Sequence, residues 1–307
     1  MNFDVFTEII FDNVRDYLPE EYADVEITLE EITKLNETYQ ALTVKKEGCG
    51  FVPRVNLDSL YEQFCIDTLV LLRDVAREVA GSIIRDLSRK DAIPMECFLD
   101  YERAKELLFI RVSPEETNRE LLKTLPNRVV NGLALTCHLY FGTSEGSFRS
   151  SMVTEALREQ FGITGEQLLQ DSLANSRKIL PPVLKNLRED PELKKIPVDR
   201  EPALYMLTNR TGINGAAVLF YPGMMEEMAQ RLEDSYFILP SSIHEMMIIP
   251  EGEAPSAEKM EGLLWEANQK CVAPAEKLSD DVFHYDMKSR RFETIRDWKK
   301  QKGEYLN

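Results

Sequence analysis

The sequence predicts an α+β protein built from three β-hairpin-plus-helix units, with mixed or antiparallel sheets packed against helices. Two observations carry this. An apolar strand, a Gly-bearing turn, a second strand and a capped helix follow one another three times, and amphipathic helical stretches fill the intervals. Each copy also holds a Leu-Thr pair late in its first strand: Leu42-Thr43, Leu135-Thr136 and Leu207-Thr208.

Residues 2–18 read as a helix. Phe3, Phe6, Ile9, Ile10, Val14 and Leu18 recur at helical spacing and Pro19 stops it. Val25, Ile27 and Leu29 then alternate with polar residues, as a half-buried strand does. The first copy runs from Tyr39 to Lys46, turns at Glu47-Gly48-Cys49-Gly50, returns over Phe51 to Asn56 and enters a helix at Asp58. From Asp67 to Leu87, Leu69, Leu72, Val75, Ala76, Val79, Ile83 and Leu87 form one broad helical face. A short helix over Pro114 to Lys123 has Ser113 as its cap. The second copy spans Gly132 to Phe141, a turn at 142–146, Phe148 to Val153, and a helix opened by Thr154. Gly165 to Ile179 is helical. The third copy spans Ala203 to Asn209, a turn at Arg210-Thr-Gly212, a second strand over Ile213 to Phe220, and a helix that starts at Pro222. Tyr236 to Ser242 and Glu245 to Pro250 read as two strands joined by a tight turn, and Ala257 to Lys270 as a helix.

The stretch from Pro181 to Pro202 is rich in Pro and mixed charge, which marks it as the best boundary. The expected organisation is an N-terminal α+β domain (1–125), a middle hairpin–helix unit with its linker (126–200), a C-terminal α+β domain (201–284) and a basic tail (285–307).

Composition excludes several classes. The chain has 307 residues, is 43% hydrophobic and 29% charged, and carries a formal charge of −16. No stretch approaches the roughly 20 apolar residues of a membrane span. Met1-Asn2-Phe3-Asp4 lacks the basic start of a secretory signal. Five scattered Cys, none at Cys-x-x-Cys spacing, indicate reduced thiols in a cytoplasm rather than a disulfide framework or a zinc site. The three His are too few and too far apart for a His-rich metal site, and no Asp-x-Asp-x-Asp-Gly calcium loop appears; no metal or cofactor is expected, with a carboxylate-only Mg²⁺ or Ca²⁺ site left open by the acidity.

Charge is unevenly spread. The last 23 residues carry +3, from Lys288, Arg290, Arg291, Arg296, Lys299, Lys300 and Lys302 against four acids, and the rest carries −19. Asp16 to Glu31 holds seven carboxylates and no base: Asp16, Glu20, Glu21, Asp24, Glu26, Glu30 and Glu31. Glu226 to Glu261 also sums to −7, with Glu226, Glu227, Glu233 and Asp234 at its head. These residues are the candidate docking surface for a basic partner, and such association would be fast and salt-sensitive. Nucleic acid is expected to be engaged only through the tail 286–307, where Phe292, Ile295 and Trp298 lie at i, i+3, i+6 among bases. That tail helix has three possible seats: its own acidic body, a partner, or RNA.

The opening Met1-Asn-Phe-Asp-Val-Phe-Thr-Glu-Ile-Ile10, with Val14-Arg-Asp-Tyr-Leu-Pro-Glu-Glu21, resembles an uncharacterised bacterial family. So do Asn118-Arg-Glu-Leu-Leu122, Asn214-Gly-Ala-Ala217, Tyr236-Phe-Ile-Leu-Pro-Ser-Ser-Ile-His-Glu245 and Leu278-Ser-Asp280. The resemblance covers about residues 1–285. It implies an accessory protein of gut anaerobes, often encoded beside mobile-element genes, and no catalytic residue. Many relatives are expected to continue into a long charged helix where this chain stops at Asn307.

Two constellations hold the residue types of an enzyme. Ser241, Ser242, His244 and Glu245 contain those of a hydrolase triad, but without the Gly residues of a nucleophile elbow. Cys137 and His138 adjoin on a strand, so their side chains face opposite ways, and a thiol–imidazole pair would need His244 or His284 instead. The structural readings are a hydroxyl-rich hairpin corner and a buried Cys beside a surface His. Arg210-Thr-Gly-Ile-Asn-Gly215 has two Gly but no phosphate-loop Lys, and reads as a turn. The leading expectation is a non-enzymatic acidic interaction protein, a mobile-element accessory factor or inhibitor that docks on a basic, nucleic-acid-binding protein. The alternative is a hydrolase or transferase centred on His244 with Ser241, or on Cys137.

Overall fold

The structure, a computed structural model, describes residues 1–47, 52–67, 69–88, 93–144, 147–189 and 203–303. The chain is an α+β protein with antiparallel sheets packed against helices, and it divides into two compact units, Met1–Met95 and Glu96–Asn307.

The first unit contains α1 (Phe3–Asn13), β1 (Glu26–Lys34), β2 (Glu37–Lys45), β3 (Arg54–Asn56), α2 (Leu57–Ile66) and α3 (Leu72–Leu87). The Asn2 side chain caps α1 by accepting from the Val5 amide, and Asn56 caps α2 in the same way. The strands form one antiparallel sheet in the order β1-β2-β3. Phe6 and Ile10 of α1, Ile27 of β1, Leu42 and Val44 of β2, and Val75, Val79 and Ile83 of α3 share its core. Each such side chain removed from water stabilises by roughly 1.5–3 kcal/mol. Leu69, expected on the α3 face, lies ahead of the helix and is exposed.

The second unit continues with α4 (Tyr101–Lys105), β4 (Leu108–Pro114), α5 (Glu115–Leu122), β5 (Asn127–Val130), β6 (Leu133–Ser144), β7 (Ser147–Met152), α6 (Glu155–Gln160) and α7 (Gly165–Ile179). Then come β8 (Pro182–Asn186), β9 (Tyr205–Asn209), α8 (Met224–Leu232), β10 (Tyr236–Leu239), β11 (Met246–Pro250), α9 (Ala257–Lys270), β12 (Phe283–Asp286), β13 (Arg291–Thr294) and α10 (Ile295–Lys302). One sheet runs β4-β6-β5, with β7 also paired to β6. The other has six strands in the order β13-β12-β10-β11-β9-β8.

The six-stranded sheet is covered on both faces, which explains why Tyr236 to Leu239 are all buried. Tyr236 and Ile238 face the core shared with β4, β6 and α8, whereas Phe237 packs with Ile249, Met260 and Leu264 of α9 and Ile295 of α10.

Three sequence expectations need correction. The first two copies do fold as a strand pair followed by a helix, β2-β3-α2 and β6-β7-α6. The third does not, because its expected second strand contains a 3-10 helix, Gly215–Phe220. Ala216 to Leu219 are buried in an unbroken apolar run, and such a run carries no period to separate strand from helix. The Ser113 side chain is buried in β4 and caps nothing, and Pro114 takes the cap position. The Pro-rich boundary is not a break between sheets, since β8 and β9 on either side of it pair from Pro182↔Asn209 to Asn186↔Tyr205. Its central part, 190–202 with Pro191, Pro197 and Pro202, lies outside the described residues, as do the turn positions 48–50 and 145–146. The basic tail forms the expected short helix and takes the first of its three seats, the acidic body of its own chain. Tyr285 and Asp286 belong to β12, and Ile295 is buried in the α9 core with Trp298 packed against it.

Gly215 sits at a close approach. An added Cβ would overlap Thr208 Oγ1 and the carbonyl oxygen of His244, and stand 2.8 Å from the Asn209 amide nitrogen. Gly215→Ala should therefore lower unfolding stability by about 2–3 kcal/mol in a denaturant titration, the upper range for overpacking. An unchanged midpoint would show that the backbone yields there.

Candidate functional site

The two acidic stretches fold differently. Asp16 to Glu31 occupies two single 3-10 turns, Val14–Tyr17 and Glu20–Tyr22, and the first half of β1. Val14, Tyr22, Val25 and Ile27 turn into the core, and the Tyr22 hydroxyl lies 2.9 Å from that of Ser88 on the far end of α3. The carboxylates between these anchors turn outward: Asp16, Glu20, Glu21, Asp24, Glu26 and Glu31 are exposed. Glu30 is half-buried and pairs with Lys45 at 3.2 Å, and that hydrogen bond holds its carboxyl below the usual range. The nearby cations are otherwise engaged. Lys46 donates to the Glu21 carbonyl and lies over the Tyr22 ring at 4.4 Å, and Arg15 donates to the Val25 carbonyl. Among the described residues the other six carboxylates have no ion pair.

The second stretch is knitted into its own unit. Glu227 pairs with Arg177 at 2.7 Å. The Asp234 carboxylate accepts the Gly252 amide, and Glu253 binds Arg188 and the Ala203 amide. Glu251 accepts from His284 at 3.0 Å and from Lys302 at 3.3 Å. Lys299 of α10 reaches both Glu258 (3.1 Å) and Glu261 (2.9 Å), and the Glu261 bond holds its ammonium above the ordinary lysine range. The basic tail helix thus neutralises the acids beside it. Burial pushes the Glu245 carboxyl up. Glu226 is half-buried, and Glu233, in the left-handed region at φ 57°, is exposed.

The sequence did not mark the buried core of this network. His284 and Glu293 are both buried and face each other across the β12–β13 ladder, with Nδ1 3.8 Å from Oε1. Their encounter depends on a register that exists only after the hairpin forms.

The residues of the hydrolase reading lie on the connection from β10 to β11. The Ser241 carbonyl accepts the Leu278 amide, and Ser242 forms a β-bridge with Lys277. The Ser242 hydroxyl accepts the backbone amide of His244 at 2.9 Å. His244 Nδ1 accepts the Asn214 amide at 3.1 Å, so its proton sits on Nε2, which lies 3.3 Å from Glu276 Oε1. Nδ1 is committed to Asn214, Nε2 faces Glu276, and neither is bonded to Ser241 or Ser242. Thr208 Oγ1 donates to the His244 carbonyl at 2.8 Å, so His244 braces the corner against the loop after β9. In that loop Asn209 Oδ1 accepts the amides of Thr211 and Gly212, an Asx-turn.

Cys137 faces the core of β6. Burial pushes its thiol up to about 12, so it is no nucleophile at neutral pH. His138, expected at the surface, is buried on the opposite face. Its Nε2 lies 2.9 Å from Thr136 Oγ1, and its ring lies 5.5 Å from that of Phe109. Desolvation, aided by the Arg111 charge, holds it well below the usual histidine range. Neither His244 nor His284 is bonded to Cys137; their partners are those given above.

Among the described residues, no helix is long and apolar enough to cross a membrane, and no group of three or more His, Cys, Asp or Glu is placed to hold a metal ion. Residues 3–287 match a family of unknown function, DUF5688, and the chain belongs to that family. No curated protein and no solved structure matches the chain.

Two outcomes are expected at these sites. Alkylation of the native protein at pH 8 should label exposed Cys65 and Cys271 and spare buried Cys97 and Cys137, as read by peptide mass. Prompt labelling of Cys137 would contradict its burial. His138 is neutral when folded and has an ordinary pKa when unfolded. The unfolded chain therefore binds the extra proton below about pH 6.5, and stability falls as pH drops through that value, by at most about 1.4 kcal/mol per unit. Denaturant titrations of His138→Gln between pH 6.5 and 5 should show a shallower loss than the parent. Parallel curves would exclude a neutral buried imidazole.

Proposed function

We propose that this protein is a non-enzymatic interaction protein, an accessory factor or inhibitor that docks on a basic, nucleic-acid-binding protein. It docks through the face formed by Asp16, Glu20, Glu21, Asp24, Glu26, Glu30 and Glu31. One observation carries the reading: six of these seven carboxylates are exposed and have no ion pair among the described residues. Outward carboxylates without counter-charges compete with phosphate for Lys and Arg and steer a cationic partner over about a Debye length. The second stretch, including Glu227 and Asp234, contributes less because its charges already have partners. Among the described residues the four cysteines are free, in keeping with a reducing cytoplasm as the place of action.

The enzymatic alternative has less support. His244 accepts the Asn214 amide at Nδ1 and turns Nε2 toward Glu276 rather than a serine, and Cys137 is held as a thiol by burial.

Affinity capture on the immobilised wild-type chain and on a Glu20→Lys/Glu21→Lys/Glu31→Lys variant tests the proposal. A basic protein should be retained by the wild type, be released by rising salt, and be held at least about tenfold more weakly by the variant. Equal capture by both, or retention indifferent to ionic strength, would remove the charge argument.

A further inference from the structure

The β1–β2 hairpin closes through Leu35 and Asn36, with Asn36 in the left-handed region at φ 70°. In a two-residue hairpin the flanking pair, here Lys34↔Glu37, exchanges both main-chain hydrogen bonds, and bonded and unbonded pairs alternate from there. Ile32↔Tyr39, Glu30↔Ala41, Thr28↔Thr43 and Glu26↔Lys45 are then the bonded pairs. Ile27, Leu29, Glu31 and Thr33 turn their amide and carbonyl groups away from β2. Two bonds on the far side of β2 fix this parity. Gln40, opposite Glu31, donates its amide to the Asp58 carboxylate at 2.7 Å, and Val44, opposite Ile27, donates its own to the Pro53 carbonyl at 3.0 Å. Both point away from β1, and the residues facing them therefore point away from β2.

β1 is an outer strand, and no strand lies beyond it among the described residues. Ile27 is buried, but Leu29, Glu31 and Thr33 are exposed and present main-chain donors and acceptors along an open edge. Such an edge invites a further strand. Charge selects which one. A second copy of β1 would bring Glu26, Glu30 and Glu31 against their own kind, which repels self-pairing. An extended segment with Lys or Arg at alternate positions reverses that sign.

We infer that a basic, extended segment of a protein partner adds to β1 as a fourth strand. Its main chain bonds to Leu29, Glu31 and Thr33. Its alternate Lys or Arg side chains meet Glu26 and Glu30 on one face, and an apolar side chain meets Leu29 on the other. This rests on the acidic-face reading and adds a mode of docking to it.

The test uses the full chain and a peptide of alternating lysine and valine, compared with the same peptide N-methylated at every second residue, which keeps the charge and loses the edge donors. In amide exchange followed by NMR, the unmodified peptide should slow Leu29 and Glu31 by about tenfold, while Thr28 and Glu30, already bonded to β2, change little. N-methylation should weaken binding by about tenfold or more in fluorescence anisotropy. Leu29→Pro, which removes only an outward-facing donor, should do the same. Suppose the Glu26→Gln/Glu30→Gln/Glu31→Gln variant loses affinity while both peptides bind alike and Leu29 exchange is unaltered. Strand addition is then overturned and the acidic face stands. No binding of either peptide at low salt would overturn both.

Discussion

The feature on which the acidic face depends is the burial of four apolar side chains inside an otherwise charged stretch. Val14, Tyr22, Val25 and Ile27 are each removed from water in the core beneath α3, and the short spacing between them leaves the chain no freedom to turn its carboxylates inward. A carboxylate buried without a partner costs several kcal/mol, so the anchors and the charges select the same conformation. Pro19 separates the two 3-10 turns, and α1 itself ends earlier than its periodicity suggests, at Asn13, where the chain tightens into the first of them.

The same residue type serves opposite ends in the two units. In the second, carboxylates are structural. Glu251 joins His284 to Lys302, and Glu258 and Glu261 grip Lys299, so the last helix is held on α9 by charge as well as by Ile295 and Trp298. Exposed ion pairs of this kind contribute little singly, and their weight comes from acting beside a packed apolar seam. The histidines follow the same pattern: His244 and His284 are braces, and His138 is neutral filling between strands.

Much of the fold was legible because its periods are clean. Gly165–Ile179 and Ala257–Lys270 begin after Thr164 and Ser256, side chains that cap them, and their extents match the periodicity. The α+β class followed from hairpins with Gly-bearing turns. The third copy misled because Gly215–Phe220 is apolar at every position, and a tight contact with Thr208 and the His244 carbonyl, invisible in the sequence, selects the helical turn. The tail helix was legible in the spacing of Phe292, Ile295 and Trp298, but which of its three seats it takes was not, since α9 and its carboxylates meet it only in the folded chain. The candidate site was legible as a run of carboxylates. Which of them remain unpaired was not, because Lys299 and Lys302 approach Glu261 and Glu251 only through the folded chain.

The two tryptophans have a practical consequence. Trp265 is exposed on α9, Trp298 packs edge-on against Phe237 at 5.1 Å, and both belong to the second unit. Intrinsic indole emission therefore reports on residues 96–307 and is silent for the unit that carries the acidic face. A melting curve followed by that emission would miss independent loss of the β1–β2 hairpin. Circular dichroism or tyrosine signals must supply the other half, and disagreement between the probes would reveal two cooperative transitions in one chain.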